Sequence, residues 1–187
     1  RLIIFLCTVA AICLALPTGA ATQLVAPESV RDLLLRHLPL TVAQGDLPDA
    51  TALAVLERQL RQETGELLAT EGYFSPRLEL HESGAGLVLQ VEPGARAQIG
   101  SVDIEIRGAL SAGRRQQLID DWALPVASAF RQAAWDDAKQ GLLRELMAVD
   151  NASARLLSSQ AEVDVDGARV ALHLVYDAGP RYRYGEL

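Results

Sequence analysis

An internal repeat limits this chain more than any other feature. The run LVLQVEPGARAQIGSVDI over residues 87–104 answers to ALHLVYDAGPRYRYGEL over residues 171–187. Gly94 and Gly100 are six apart, as are Gly179 and Gly185, and each pair follows a run that alternates apolar and polar residues. Self-similarity at about one domain length means two copies of one small unit. The most informative stretch is residues 72–108: a helix stop at Gly72, two short strands around a Gly-rich turn, a Pro93-Gly94 break and a third strand.

The repeat begins after an N-terminal segment of a different character. Arg1 precedes an apolar run from Leu2 to Leu16, followed by Pro17, Gly19, Ala20 and Ala21. A positive start, an apolar centre and a small-residue exit describe a secretory signal peptide over residues 1–21. A membrane-spanning helix needs roughly 20 apolar residues, and Pro17 and Gly19 interrupt this run early. Both cysteines, Cys7 and Cys13, lie inside it. Removal of the segment leaves no thiol for a disulfide, a metal or a nucleophile. An exported chain without cysteine suits a bacterial periplasm better than a disulfide-stapled extracellular module.

The full chain has 17 Lys and Arg against 24 Asp and Glu, a net charge of −7. That acidic balance lacks the basic footprint of a nucleic-acid binder.

Residues 22–95 read as the first unit. Thr22 to Ala26 is a short strand candidate, and Pro27 with Glu28 opens a helix carrying Val30, Leu33, Leu34 and Leu38 on one stripe. Asp49 is placed to N-cap a second helix, with Leu53, Leu56, Leu60 and Leu67 inward and Thr64 filling the gap. Leu78 and Leu80 then alternate with Arg77, Glu79 and His81, and Leu87, Leu89 and Val91 return after residues 83–86, a hairpin with one buried face. Residues 97–180 repeat the order. Val102, Ile104 and Ile106 form a strand; Leu118, Ile119 and Trp122 line one helix, and Trp135, Ala138, Leu142, Leu146 and Val149 a second. Ala161, Val163 and Val165 then alternate inward, Asp166-Gly167 signals a hairpin turn, and Val170, Leu172, Leu174 and Tyr176 come back. Each unit is strand, helix, helix, strand, strand, an α+β arrangement.

This layout resembles the POTRA domain, the periplasmic module that precedes outer-membrane assembly barrels. LLATEGYFSPRLEL, VEPGARAQIGSVDI, WDDAK and DAGPRYRYGEL are similar to the N-terminal region of the TamA-type subunit of the translocation and assembly module. The motif residues are Gly72, Tyr73, Phe74, Pro93, Gly94, Gly100, Gly179 and Gly185. Val149-Asp150-Asn151 departs from the pattern, standing where a Gly-Tyr-aromatic helix exit is expected. The resemblance implies tandem modules, each a three-stranded mixed sheet under two helices, with a third beginning at residues 181–187. It implies a periplasmic role in binding unfolded outer-membrane precursors or partner proteins for barrel insertion or autotransporter export. A TamB-like inner-membrane protein would be the partner, and a C-terminal barrel absent from this sequence would supply the membrane contact. The alternative is a two-partner secretion transporter of the haemolysin-activator type. That class carries a Pro-rich linker or plug helix first, for which residues 22–27 leave no room.

Nothing in the residues points to an enzyme, a metal or another cofactor. His81 and His173 fall on outward strand positions, and His37 on the edge of a helix stripe. Asp164-Val165-Asp166-Gly167 resembles the start of a calcium loop but lacks the later ligands. Asp120-Asp121 and Asp136-Asp137 are helical neighbours that diverge by about 100° and do not converge on one substrate. Tyr73, Phe74, Trp122 and Trp135 read as core, because a unit of this size needs its aromatics inside. The resemblance does offer a sheet edge: it places the strand after the second helix outermost, over residues 75–81 and 154–165. An edge strand accepts another chain through main-chain hydrogen bonds and tolerates many sequences. Arg77, Leu78, Glu79, Leu80 and His81 are therefore the candidate binding residues, with Arg77 and Glu79 also serving as charged guards against indiscriminate pairing.

Overall fold

The computed structural model describes residues 22–40, 49–83, 86–148 and 152–180. The expected leader, residues 41–48, the tip of the expected Gly-rich turn, residues 149–151, and Gly185 with the expected start of a third unit lie outside the described residues.

In the first unit, β1 (Gln23–Val25), α1 (Glu28–His37), α2 (Ala50–Thr70), β2 (Arg77–Ser83) and β3 (Gly86–Glu92) follow in order. The second repeats them as β4 (Gln98–Arg107), α3 (Ala112–Asp120), α4 (Gln132–Ala148), β5 (Arg155–Asp164) and β6 (Arg169–Asp177). The helices begin where side chains can satisfy free amides. Asp49 Oδ1 accepts from the Ala52 N–H at 2.8 Å, and Ser111 Oγ from the Arg114 N–H at 3.3 Å.

Both sheets are mixed, and in both the last strand of the unit is the middle one: β1-β3-β2 and β4-β6-β5. The first strand pairs parallel to the centre and the fourth element antiparallel to it. Register sets the inner faces opposite one another, Leu80 beside Leu89 in one sheet and Ile104 beside Leu174 in the other. The helices cover those faces. One core gathers Leu34, Leu60, Leu68, Leu78, Leu89 and Val91; the other gathers Ile106, Trp135, Leu142, Leu146, Leu172 and Tyr176. The fold is α+β with a three-stranded mixed sheet in each unit.

Three local expectations shift. On α2 the buried residues are Leu60, Thr64 and Leu68, with Leu67 on the flank. At about 100° per residue, Leu60 and Leu68 lie symmetrically about Thr64, so the stripe centres on the threonine. Secondly, Val163 and Val165 are 38% and 47% exposed rather than inward. Val163 sits near the end of an edge strand, and Val165 follows it into the loop. Thirdly, Asp164 pairs with Arg169, so the loop has four residues instead of two. Asp164 Oδ1 accepts from the Gly167 N–H at 3.0 Å, and Ala168, not Gly167, takes the positive φ.

Tyr176 lies wholly inside the second core, and its hydroxyl donates to the Lys139 carbonyl at 3.0 Å. Burial pushes its pKa well above the ordinary tyrosine value. A raised folded-state pKa contributes stability that is whole below the unfolded value of about 10 and is lost as pH climbs toward the folded one. The Tyr176→Phe variant should be about 1 kcal/mol less stable at neutral pH. The gap should narrow in melts above about pH 10, because only the parent is drawn toward an unfolded tyrosinate. A gap independent of pH would contradict this account.

Candidate functional site

The outer strands of the two sheets are not equally open. β1 has only three residues, so it offers a short edge. The start of β4 is sealed by the chain between the helices: the Ile99 N–H donates to the Ser128 carbonyl, the Ala127 N–H to the Ile99 carbonyl, and the Phe130 N–H to the Ala97 carbonyl, at 2.8 to 2.9 Å. β4 is open beyond Ile99, and β2 and β5 carry no such seal among the described residues, each paired on one side only. A backbone with one unpaired row is the feature that recruits another strand.

On β2, Arg77, Glu79 and His81 point away from the helices and Leu78 and Leu80 toward them. Leu78 is buried and Leu80 half-buried, while the three polar residues are at least partly solvated at the strand edge. The five residues thus share one edge strand, charged on its outer face. β5 is longer, ten residues against seven, and carries a bulge between Leu156 and Ser158. Leu157, beside the bulge, is 46% exposed. Bulges twist an edge and interrupt its pairing register.

The motif Gly72-Tyr73-Phe74 does more than end α2. The Tyr73 N–H donates to the Leu68 carbonyl and the Gly72 N–H to that of Ala69, a helix stop that needs a left-handed residue, and Gly72 has φ +90°. A Cβ on Gly72 would lie 2.5 Å from the Phe130 carbonyl oxygen of the second unit. The next two rings part company: Tyr73 packs on the first core and Phe74 on the second, its ring 5.9 Å from that of Phe130. Glu71 binds both sides. Arg131, at the foot of α4, contacts its two carboxylate oxygens at 3.0 Å each, and Arg96 Nε donates to its carbonyl at 2.9 Å. Paired forks of this kind fix orientation as well as adding energy. Gly94 and Gly179 take positive φ at equivalent points after β3 and β6, with Pro93 beside the first. Gly100 lies in the β4 bulge, close to Arg169.

Sequence reading had no signal for Phe130, Arg131 or Arg96 as a junction. Phe130 stands in an aperiodic stretch after Pro125, and it is buried through its backbone pairing with Ala97 and its packing against Phe74 and the second core.

The titratable groups stay scattered. His37 and His81 are exposed, and His173 Nδ1 lies 3.6 Å from an exposed Asp103 carboxylate. Lys139 contacts Asp136 at 2.7 Å and, with Gln132, holds its carboxyl below the usual range. A hydrogen bond from Arg107 does the same to Glu105. Among the described residues no group of three or more His, Cys, Asp and Glu is placed to hold a metal ion. No described helix is long and apolar enough to cross a membrane. Of the four aromatics expected in the core, Trp135 is buried, while Tyr73, Phe74 and Trp122 are half-buried.

Two β-α-α-β-β units in tandem, each with its final strand central, have the fold of POTRA modules. Among solved structures, the POTRA1-2 pair from the periplasmic domain of Omp85 from Anabaena superposes with a TM-score of 0.50 at 8% identity, covering 86% of this chain and 96% of that one. The POTRA1-3 segment of the same Anabaena domain gives 0.50 at 9%, covering 83% of this chain and 60% of the other. POTRA3-5 of BamA from Haemophilus influenzae gives 0.46 at 18%, covering 87% and 67%. No family model matches the chain, and no curated protein matches it in sequence.

Gly72 tests the junction. The Gly72→Ala variant should lose about 2 kcal/mol or more, from left-handed strain and the approach to Phe130 together. Small-angle scattering should register a change in how the units are disposed. An unchanged melt and an unchanged scattering profile would show that the contact is incidental.

Proposed function

We propose that this chain is the POTRA region of an outer-membrane assembly or translocation protein of the Omp85 kind, held at the periplasmic face of a Gram-negative outer membrane. It works without catalysis. Its task is to bind extended segments of unfolded outer-membrane precursors or of a partner protein and to hold them near a barrel carried elsewhere in the protein. Within that class the TamA type fits best, with a TamB-like inner-membrane partner and autotransporters among the clients. The GYFSP helix exit and the Pro-Gly and Ile-Gly-x-Val sequence of the first unit support that assignment.

The observation that carries the reading is the pair of open strands, β2 with Arg77 to His81 and β5, while the two other outer strands are short or partly sealed. Main-chain pairing is indifferent to most side chains, which suits a protein with many clients.

Amides along a strand point alternately into the ladder and outward. Proline at Glu79 and at Leu80 therefore samples both directions on β2, and proline at Ser159 and at Gln160 does so on β5. The expected outcome is that at least one outward-amide variant keeps its melting temperature and loses roughly tenfold or more in affinity for a barrel-strand peptide, the equivalent of about 1.4 kcal/mol. Parental binding in all four would refute edge pairing. Coding sequence continuing beyond Leu187 into amphipathic strands of about ten residues each would place the chain ahead of a barrel. Continuation into an unrelated soluble domain would remove the assembly assignment.

A further inference from the structure

The helix-facing side of the second sheet is incompletely roofed at one edge. By register with Leu174, Leu172 and Val170 of β6, the β5 residues on that side are Ser159, Ala161 and Val163. Ser159 and Val163 are nevertheless exposed and Ala161 only half-buried. All three are small, whereas the inward residues of β2 are Leu78 and Leu80. Space is left over β5 that α4 does not fill. It opens into a cavity of about 240 Å³ at the junction of the units, walled by Phe74 and Phe130, by Ala161 and Val163, and by Thr70 and Glu66 of α2.

A strand added to β5 would lay alternate side chains over this same face. One of them, opposite Ala161 or Val163, would hang above the cavity, whose volume suits a single large side chain. Two aromatic walls with rings tilted by 43° favour an aromatic one. Charge selects its neighbour. The cavity end of β5 carries Glu162, Asp164 and, in the loop, Asp166, with Glu66 on the rim; Arg169, across from Asp164, is the cation facing them on β6.

We propose that the β5 edge and the junction cavity form one bipartite site for an extended polypeptide segment that carries a bulky aromatic side chain flanked by a lysine or arginine. This rests on the reading of the strand edges as protein-binding and adds a side-chain preference to it. The backbone ladder supplies tolerance, and the cavity, built by both units, supplies selection.

The test uses fluorescence anisotropy with the chain and three labelled nine-residue alternating peptides, whose central pair is Phe-Lys, Ala-Lys or Phe-Glu. For the parent, the Phe-Lys peptide should bind roughly tenfold more tightly than the other two, since a central aromatic anchor in a desolvated pocket dominates such affinities. Two variants fill the cavity from opposite walls, Val163→Trp on β5 and Thr70→Trp on α2, and circular dichroism and melts establish which of them is folded. In a folded variant the Phe-Lys to Ala-Lys ratio should fall to about one while the Ala-Lys affinity holds. Equal binding of Phe-Lys and Ala-Lys to the parent, or a ratio that survives both fillings, overturns the cavity. The edge reading still stands in that case if proline in β5 abolishes binding of both. Failure of all three peptides to bind the parent overturns the inference and the edge reading together.

Discussion

A three-stranded sheet can satisfy both rows of backbone donors and acceptors on one strand only. The two outer strands each keep a row that must be shortened, sealed, guarded or used. Here the chain treats its four outer strands differently. β1 is cut to three residues, and the head of β4 is closed by residues 127–130. β2 carries charge along its outer face, and β5 is long, bulged and thinly covered. The two strands without a seal, β2 and β5, both follow the longer helix of their unit.

The junction obeys a similar economy. One short segment, residues 71–74, ends a helix, accepts with its carboxylate from a guanidinium of the next unit, and packs one ring against each core. The Gly72 carbonyl also accepts from the Ala97 N–H at 2.8 Å, so the connection from β3 to β4 is tied to the same point. Several inter-unit bonds thus pass through these few residues, and the cavity beside β5 lies where the two units meet.

The element order, the α+β class and the inner faces of the central strands were legible in the sequence, because period-2 and period-3.6 patterns with Gly and Pro breaks express them directly. Asp49 announced a helix start through cap chemistry that is local by nature. The strand after the second helix was placed outermost through the resemblance alone; nothing in Arg77 to His81 states which neighbour it lacks. What escaped was tertiary. Val163 alternates correctly and still faces solvent, since alternation gives a side and not the extent of the cover. Leu68 displaced Leu67 because both stand at helical spacings from Thr64, four and three residues on, and the pattern alone does not choose between them. Phe130 and Arg131 join the units through contacts some sixty residues distant in sequence, which no local pattern encodes.

The central position of β3 and β6 has a consequence in time. Each is the last element of its unit, and every ladder in the sheet runs through it. A chain that appears from its N-terminus can form α1 and α2 as it emerges, but β1 and β2 have nothing to pair with until residues 86–92 arrive. The second unit waits in the same way for residues 169–177. Each sheet therefore closes late and at once, through contacts of long sequence separation, which slows folding and prolongs the exposure of unpaired strands. Until it closes, each unit exposes on every strand the unpaired backbone that its finished sheet keeps only along its outer edges.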